Sequence, residues 1–112
     1  MYIVIPAYEP DTRLIQVVQD ITLKLPKARI IVVNDGSGPR YDDFYDETAL
    51  LGATVLKHPI NKGKGAALKT AFAHIQEEVV RQHLSAQPIV TVDSDGQHLI
   101  KDIVRVAKAT EE

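Results

Sequence analysis

The residues in this sequence best suited to chemistry are acidic, and they sit in short polar clusters that each follow an apolar run. Asp93-Ser94-Asp95-Gly96-Gln97-His98 sets two carboxylates one residue apart, beside an amide and an imidazole. Asn34-Asp35-Gly36-Ser37 carries a third carboxylate, Pro6-Ala7-Tyr8-Glu9 a fourth, and Lys57-His58 closes another apolar run. If Glu9, Asp35, Asp93 and Asp95 crowd one cleft mouth, like charges repel and a cation should offset them. A divalent metal bound by hard oxygen ligands suits that role, and it would also hold a ligand diphosphate. Taken singly, each cluster has a plainer explanation. Asp35-Gly36-Ser37 is also a common turn, and acidic pairs such as Asp93 and Asp95 often start helices. Lys62, Lys64 and Lys69 could be a solvated helix face. His58, His74, His83 and His98 show no metal-ligand spacing, and His74 and His83 read as helix-surface residues. Joint placement is what raises the functional reading.

That placement depends on the elements between the clusters. Tyr2 to Ile5, stopped by Pro6, reads as a buried strand, as do Ile30 to Val33 and Ile89 to Val92; Thr54 to Leu56 is a weaker one. Asp11 or Thr12 can cap a helix whose face carries Leu14, Val18, Ile21 and Leu25, ended by Pro26. A short acidic helix is expected over Asp43 to Leu51 with Gly52 as its left-handed cap. A longer one is expected over Ala66 to His83, and a last one over Ile100 to Ala109. Strand and helix alternate four times, which implies a mostly parallel sheet with helices on both faces. Right-handed crossovers then put every strand end on one edge, where such sheets bind ligands.

Composition bounds the class. The 112 residues amount to one domain, with 45% hydrophobic and 25% charged residues. The net charge of −2, with signs interspersed, argues against nucleic acid as a partner. There is no cysteine, so no disulfide or cysteine zinc site forms. No apolar run approaches a membrane span, and the N-terminus lacks the features of a signal peptide. The expected location is the cytoplasm, with the cytoplasmic face of the membrane as an alternative within it. A dinucleotide-binding fingerprint is excluded because no glycine follows the first strand. The segment Gly63 to Thr70 falls short of a P-loop because Leu68 stands where the second glycine is required. The loop opening at Asp93 departs from a calcium-binding loop at His98 and Val104.

Four motifs in order carry a family resemblance: Val4-Ile5-Pro6-Ala7-Tyr8-Glu9, Val32-Val33-Asn34-Asp35-Gly36-Ser37, Asn61-Lys62-Gly63-Lys64-Gly65-Ala66-Ala67, and Val92-Asp93-Ser94-Asp95-Gly96-Gln97-His98. On these the chain resembles family 2 glycosyltransferases of the GT-A fold, particularly the polyprenol- or dolichol-phosphate sugar synthase type. The resemblance implies an α/β, Rossmann-like three-layer sandwich, truncated to its nucleotide-sugar-binding part over residues 1–112. It implies that Pro6, Ala7, Tyr8 and Glu9 line the base and ribose pocket, and that Asp35 accepts a hydrogen bond from a ring N–H of the base. Lys64 would approach the base or the phosphates. Asp93-Ser94-Asp95 matches the family's D-x-D motif. In that motif Asp95 would bind Mg²⁺ or Mn²⁺ directly, Asp93 would hold the ribose or share the metal, Ser94 would join the nucleotide site, and Gln97 could be a further ligand. The implied donor is a UDP- or GDP-linked sugar, and the implied acceptor a polyprenyl phosphate or a saccharide.

In the family, a later acidic residue activates the acceptor, and that region lies beyond Glu112. The 112 residues are therefore expected to bind donor and to be inactive alone, with an open sheet edge through which a homodimer could form. Two other classes compete. A receiver-like signalling domain would need an acidic pair after the first strand and a phospho-acceptor Asp after the third, where Lys57-His58 stands. A nucleotidyltransferase would need a basic, glycine-rich loop after the first strand.

Overall fold

The computed structural model describes residues 1–85 and 87–95. The β-branched runs form strands and the amphipathic stretches form helices, in the expected alternation. The order is β1 (Tyr2–Ala7), α1 (Thr12–Lys24), β2 (Arg29–Asp35), a 3-10 turn at Pro39–Tyr41, α2 (Asp42–Leu50), β3 (Thr54–His58), α3 (Lys64–Arg81) and β4 (Ile89–Thr91). The expected last helix, Ile100 to Ala109, lies outside the described residues. Asp11 caps α1, its carboxylate accepting from the Arg13 N–H at 2.9 Å.

All four strands run parallel in the order β3-β2-β1-β4. Because strand side chains alternate, β1 and β2 divide their apolar residues between two cores. Ile3, Ile5, Ala7, Ile30 and Val32 pack with Leu14, Val17, Val18 and Ile21 of α1 and Tyr45 of α2. Tyr2, Val4, Ile31 and Val33 pack with Ala67, Ala71 and Ile75 of α3. The result is the α/β three-layer arrangement expected from the sequence. Burial on both faces is why these strands read as unbroken apolar runs.

Two boundaries differ from expectation in ways that matter for the site. Pro6 does not end β1: it pairs with Val33, and Ala7 with Asn34. Its missing N–H breaks no existing rung: β4 pairs with β1 only as far as Val4, so β1 has a neighbour on one side alone at that point. β3 continues past Leu56 to His58, which lies in register with Asp35.

The chain moves outward from β1 through β2 to β3, then crosses to the other side of β1 to form β4. The strand order reverses between β1 and β4, so their carboxyl ends flank the crevice that open α/β sheets use for ligands.

Gly36 fixes how two of the edge loops meet. Its φ is +73°, and a Cβ there would lie 2.2 Å from both the Asn61 nitrogen and the Ile60 carbonyl carbon. Gly38 also has positive φ, +87°, but a Cβ there would meet nothing within 4 Å. Gly38→Ala should therefore cost only the backbone strain of its φ 87°, ψ 165° conformation, about 1–3 kcal/mol, whereas Gly36→Ala adds a backbone clash to its own positive-φ strain and should lower the melting temperature clearly further. Thermal melts of the two variants side by side check this; equal losses would contradict the close approach.

Candidate functional site

The cleft at the β1–β4 reversal is lined by Pro6, Ala7 and Tyr8 after β1 and by Asp93, Ser94 and Asp95 after β4. Asp35 at the end of β2 and Asn61, Gly63 and Lys64 before and at the start of α3 complete it. The structure thus brings together eight of the residues singled out from sequence: Pro6, Ala7, Tyr8, Asp35, Lys64, Asp93, Ser94 and Asp95. Glu9 does not line the cleft. Its backbone N–H donates to Ser37 Oγ at 2.8 Å in a left-handed conformation (φ 47°), and its side chain is exposed. Gln97 lies outside the described residues.

A hydroxyl chain holds the β1 end in place. Ser37 takes the Glu9 N–H and lies 2.7 Å from the Tyr45 hydroxyl, which donates to the Ala7 carbonyl at 3.2 Å. Burial, with a smaller contribution from the Asp35 charge, pushes Tyr45 up to about 12, so it stays protonated and able to donate. The Ser37 N–H closes back on Asn34 Oδ1 at 3.0 Å, an Asx turn that ends β2.

Asp35 is buried, 4% exposed, and its carboxylate is crowded with donors. Oδ1 lies 2.8 Å from His58 Nδ1 and 2.9 Å from the Lys62 N–H; Oδ2 takes the Gly63 N–H at 2.9 Å and Asn61 Nδ2 at 3.3 Å. A carboxylate offers about four acceptor positions, and all are used here. Burial alone would raise its pKa. The hydrogen bonds from His58, Lys62 and Gly63 outweigh that and hold it below the usual carboxylate value. Its charge is thus satisfied within the protein rather than left to repel Asp93 and Asp95. Sequence reasoning named His58 and Asn61 but gave neither a role beside Asp35, and it gave none to Thr70, whose hydroxyl lies 2.8 Å from His58 Nε2. The available signal was the place of His58 at the end of a strand on the acidic edge.

The far wall carries exposed charge. Lys64 Nζ lies 3.3 Å from Asp93 Oδ1, a half-exposed pair of small energetic weight. Arg13 is held above its ordinary value mainly by hydrogen bonds to Asp11 and further by the charge of Asp95. At the entrance to α3, the cap residue Gly63 supplies no side-chain hydrogen bond and the first turn has no acidic residue. The positive end of the helix dipole and Lys64 therefore face the cleft together, an arrangement suited to an anion. Among the described residues, no three histidine or acidic side chains could hold a metal by themselves. Asp93 and Asp95 offer two hard carboxylates to the cleft, and Mg²⁺ or Mn²⁺ commonly binds through one or two carboxylates plus ligand phosphates. The donor set fits such an ion in company with a diphosphate.

The burial of Asp35 yields a test. Asp35→Ala leaves the His58 ring and two loop N–H groups without their acceptor and should cost at least about 2 kcal/mol at neutral pH. Because the folded-state pKa is lowered, this contribution is full above the ordinary 3.8 and fades as the pH falls through the lower folded value. Urea unfolding of wild type and variant at pH 7 and pH 3 should show a gap that narrows in acid. A gap near zero at pH 7 would mean Asp35 is a dispensable turn residue.

A family model described as glycosyl transferase family 2 matches residues 2–112. The chain is 29% identical over 110 residues to an uncharacterized protein of Methanocaldococcus jannaschii, covering 96% of this chain and 40% of that protein. It is 32% identical over 120 residues to a dolichyl-phosphate beta-glucosyltransferase of Trichomonas vaginalis, covering 96% of this chain and 36% of that one. Among solved structures, a mannosyltransferase from Pyrobaculum calidifontis in complex with GDP-Man and Mn²⁺ shares the fold with a TM-score of 0.59 at 22% identity, covering 84% of this chain and 27% of its own. The chain thus spans two fifths or less of these proteins' lengths. None of these matches favours a receiver-like domain or a nucleotidyltransferase.

Proposed function

The chain belongs to glycosyl transferase family 2, and from that membership we propose that residues 1–112 are the nucleotide-sugar-binding part of a metal-dependent glycosyltransferase. The donor is a UDP- or GDP-linked sugar and the acceptor a polyprenyl phosphate or a saccharide. The similarity to a dolichyl-phosphate beta-glucosyltransferase favours the lipid phosphate. One observation carries the reading: the cleft at the strand-order reversal joins an apolar wall to an acidic one, with a lysine and a helix N-terminus between them.

Each wall suits one part of the donor. Pro6, Ala7 and the half-exposed ring of Tyr8 offer a surface for the base and ribose, with Glu9 at its margin. Lys64 and the start of α3 suit the diphosphate. Asp93 and Asp95, with Ser94 between them and Gln97 as a further ligand, would hold Mg²⁺ or Mn²⁺. That ion would stabilise the charge of the nucleoside-diphosphate leaving group. For Asp35 to accept a ring N–H from the base, the 3.3 Å bond from Asn61 would have to yield, since the other three acceptor positions hold shorter bonds. Among the described residues, no helix is long and apolar enough to cross a membrane.

Titration calorimetry with UDP, GDP and their sugars, in Mn²⁺ and in EDTA, tests the reading. Binding is expected in Mn²⁺ and should weaken by roughly tenfold or more, about 1.4 kcal/mol, in EDTA or in Asp95→Asn. Equal affinity in EDTA would remove the metal from the proposal. In a radiolabelled-sugar transfer assay, the 112 residues should transfer no sugar, since general-base assistance worth roughly 10²–10⁴-fold has no candidate among the described residues of the cleft. Turnover by this chain alone would show that the acids are wrongly assigned.

A further inference from the structure

His58 and Thr70 are polar, mutually bonded and set back from the cleft, and the donor reading above gives neither a role. His58 is the last residue of β3 and is 6% exposed. Its ring bridges two elements, with Nδ1 2.8 Å from Asp35 Oδ1 and Nε2 2.8 Å from the Thr70 hydroxyl on α3. With Nδ1 facing a carboxylate, the ring donates there, and Nε2 accepts from Thr70. Asp35 in turn receives the Lys62 and Gly63 N–H groups of the loop that leads into α3.

These contacts form a closed circuit. The segment from Asn61 to Thr70 is tied to Asp35 at its start by the loop N–H groups and at its end through His58. The loop's start is also fixed by the close approach of Gly36 to Ile60 and Asn61 and by Asn61 Nδ2, which donates to the Asp35 carbonyl at 3.2 Å; beyond Asn61, Gly63 takes a positive φ of +95° and the α3 cap has no side-chain bond. Ala67, Ala71 and Ile75 seat the body of α3 on the sheet, and the Asp35 carboxylate holds the Lys62 and Gly63 amides that lead into its first turn and Lys64. The direction of that carboxylate is set from behind by the imidazole.

We propose that Thr70 and His58 are positioning residues for the donor cleft, acting through Asp35 to set the Asn61–Gly63 loop and the start of α3. The role in donor binding rests on the family 2 reading; the positioning itself does not. Neither residue lines the cleft, so both act without touching the ligand.

Thr70→Val is the informative variant, because it removes the hydroxyl while keeping the branched shape on α3; Thr70→Ser restores the hydroxyl. Two readouts are needed: hydrogen exchange of individual amides by NMR in the ligand-free chain, and the affinity for UDP and GDP in Mn²⁺. In Thr70→Val, exchange at the Lys62 and Gly63 amides should quicken about fivefold or more, the scale of one lost hydrogen bond. The Val4 and Val33 amides should keep their wild-type rates. Nucleotide affinity should fall by a similar factor, and Thr70→Ser should recover both. His58→Asn is expected to give the same pattern more strongly. Unchanged exchange at Lys62 and Gly63 in Thr70→Val overturns the circuit. Faster exchange with unaltered nucleotide affinity overturns its role in the cleft. A wild-type chain that binds neither nucleotide sinks the donor reading alone, and the exchange rates still decide the circuit.

Discussion

A parallel sheet cannot be closed by tight hairpins; each strand must be reached by a crossover, and each crossover lays a helix on a face. Everything at the cleft depends on that constraint. It makes the central strands apolar on both sides, so their own polar residues collect at their ends. Parallel direction then gathers those ends on one edge, so Pro6, Asp35, His58 and Asp93 become neighbours although they are spread over most of the chain. The reversal of order between β1 and β4 opens that edge into a crevice.

Within the edge, two kinds of acid do different work. Asp35 is buried and saturated by donors from β3 and from the loop before α3, so its charge is spent on architecture. Asp93 and Asp95 stand at the cleft surface, where cationic neighbours are exposed and exchangeable. Removing a donor from a buried carboxylate costs stability unless another donor replaces it, whereas an exposed pair with Lys64 is nearly neutral in energy. The same residue type is thus buried and fully bonded on one wall and exposed to the cleft on the other.

The sequence made the architecture readable because its signals are local. β-branched runs, helical spacing and turn residues located every described element to within a few residues, and parallel topology followed from their alternation. The cleft was readable too, since its residues follow strands and match four ordered motifs. The roles were less so. Asp35 looked like an open acceptor because its ligands, the Lys62 and Gly63 amides, are backbone groups that no residue type announces. Tyr45 and Thr70 were invisible for a related reason: each lies on a helix whose polar contacts depend on how it packs, which spacing does not specify. Glu9 was placed in the cleft by the motif that follows the first strand, but the residue takes a left-handed φ and is absent from the lining.

Pro6 has one more consequence. The ladder between β1 and β4 runs as far as the Val92 N–H, which donates to the Val4 carbonyl at 3.0 Å. In a parallel pair, the rung after that one needs an N–H two residues further along β1, and the residue there is a proline without one. The two strands consequently part at this step: β1 goes on beside β2 to Ala7, while the segment that follows β4 leaves the ladder at Asp93. The missing hydrogen is what frees Asp93-Ser94-Asp95 from the sheet, so the fork that becomes the crevice opens at a single imino acid.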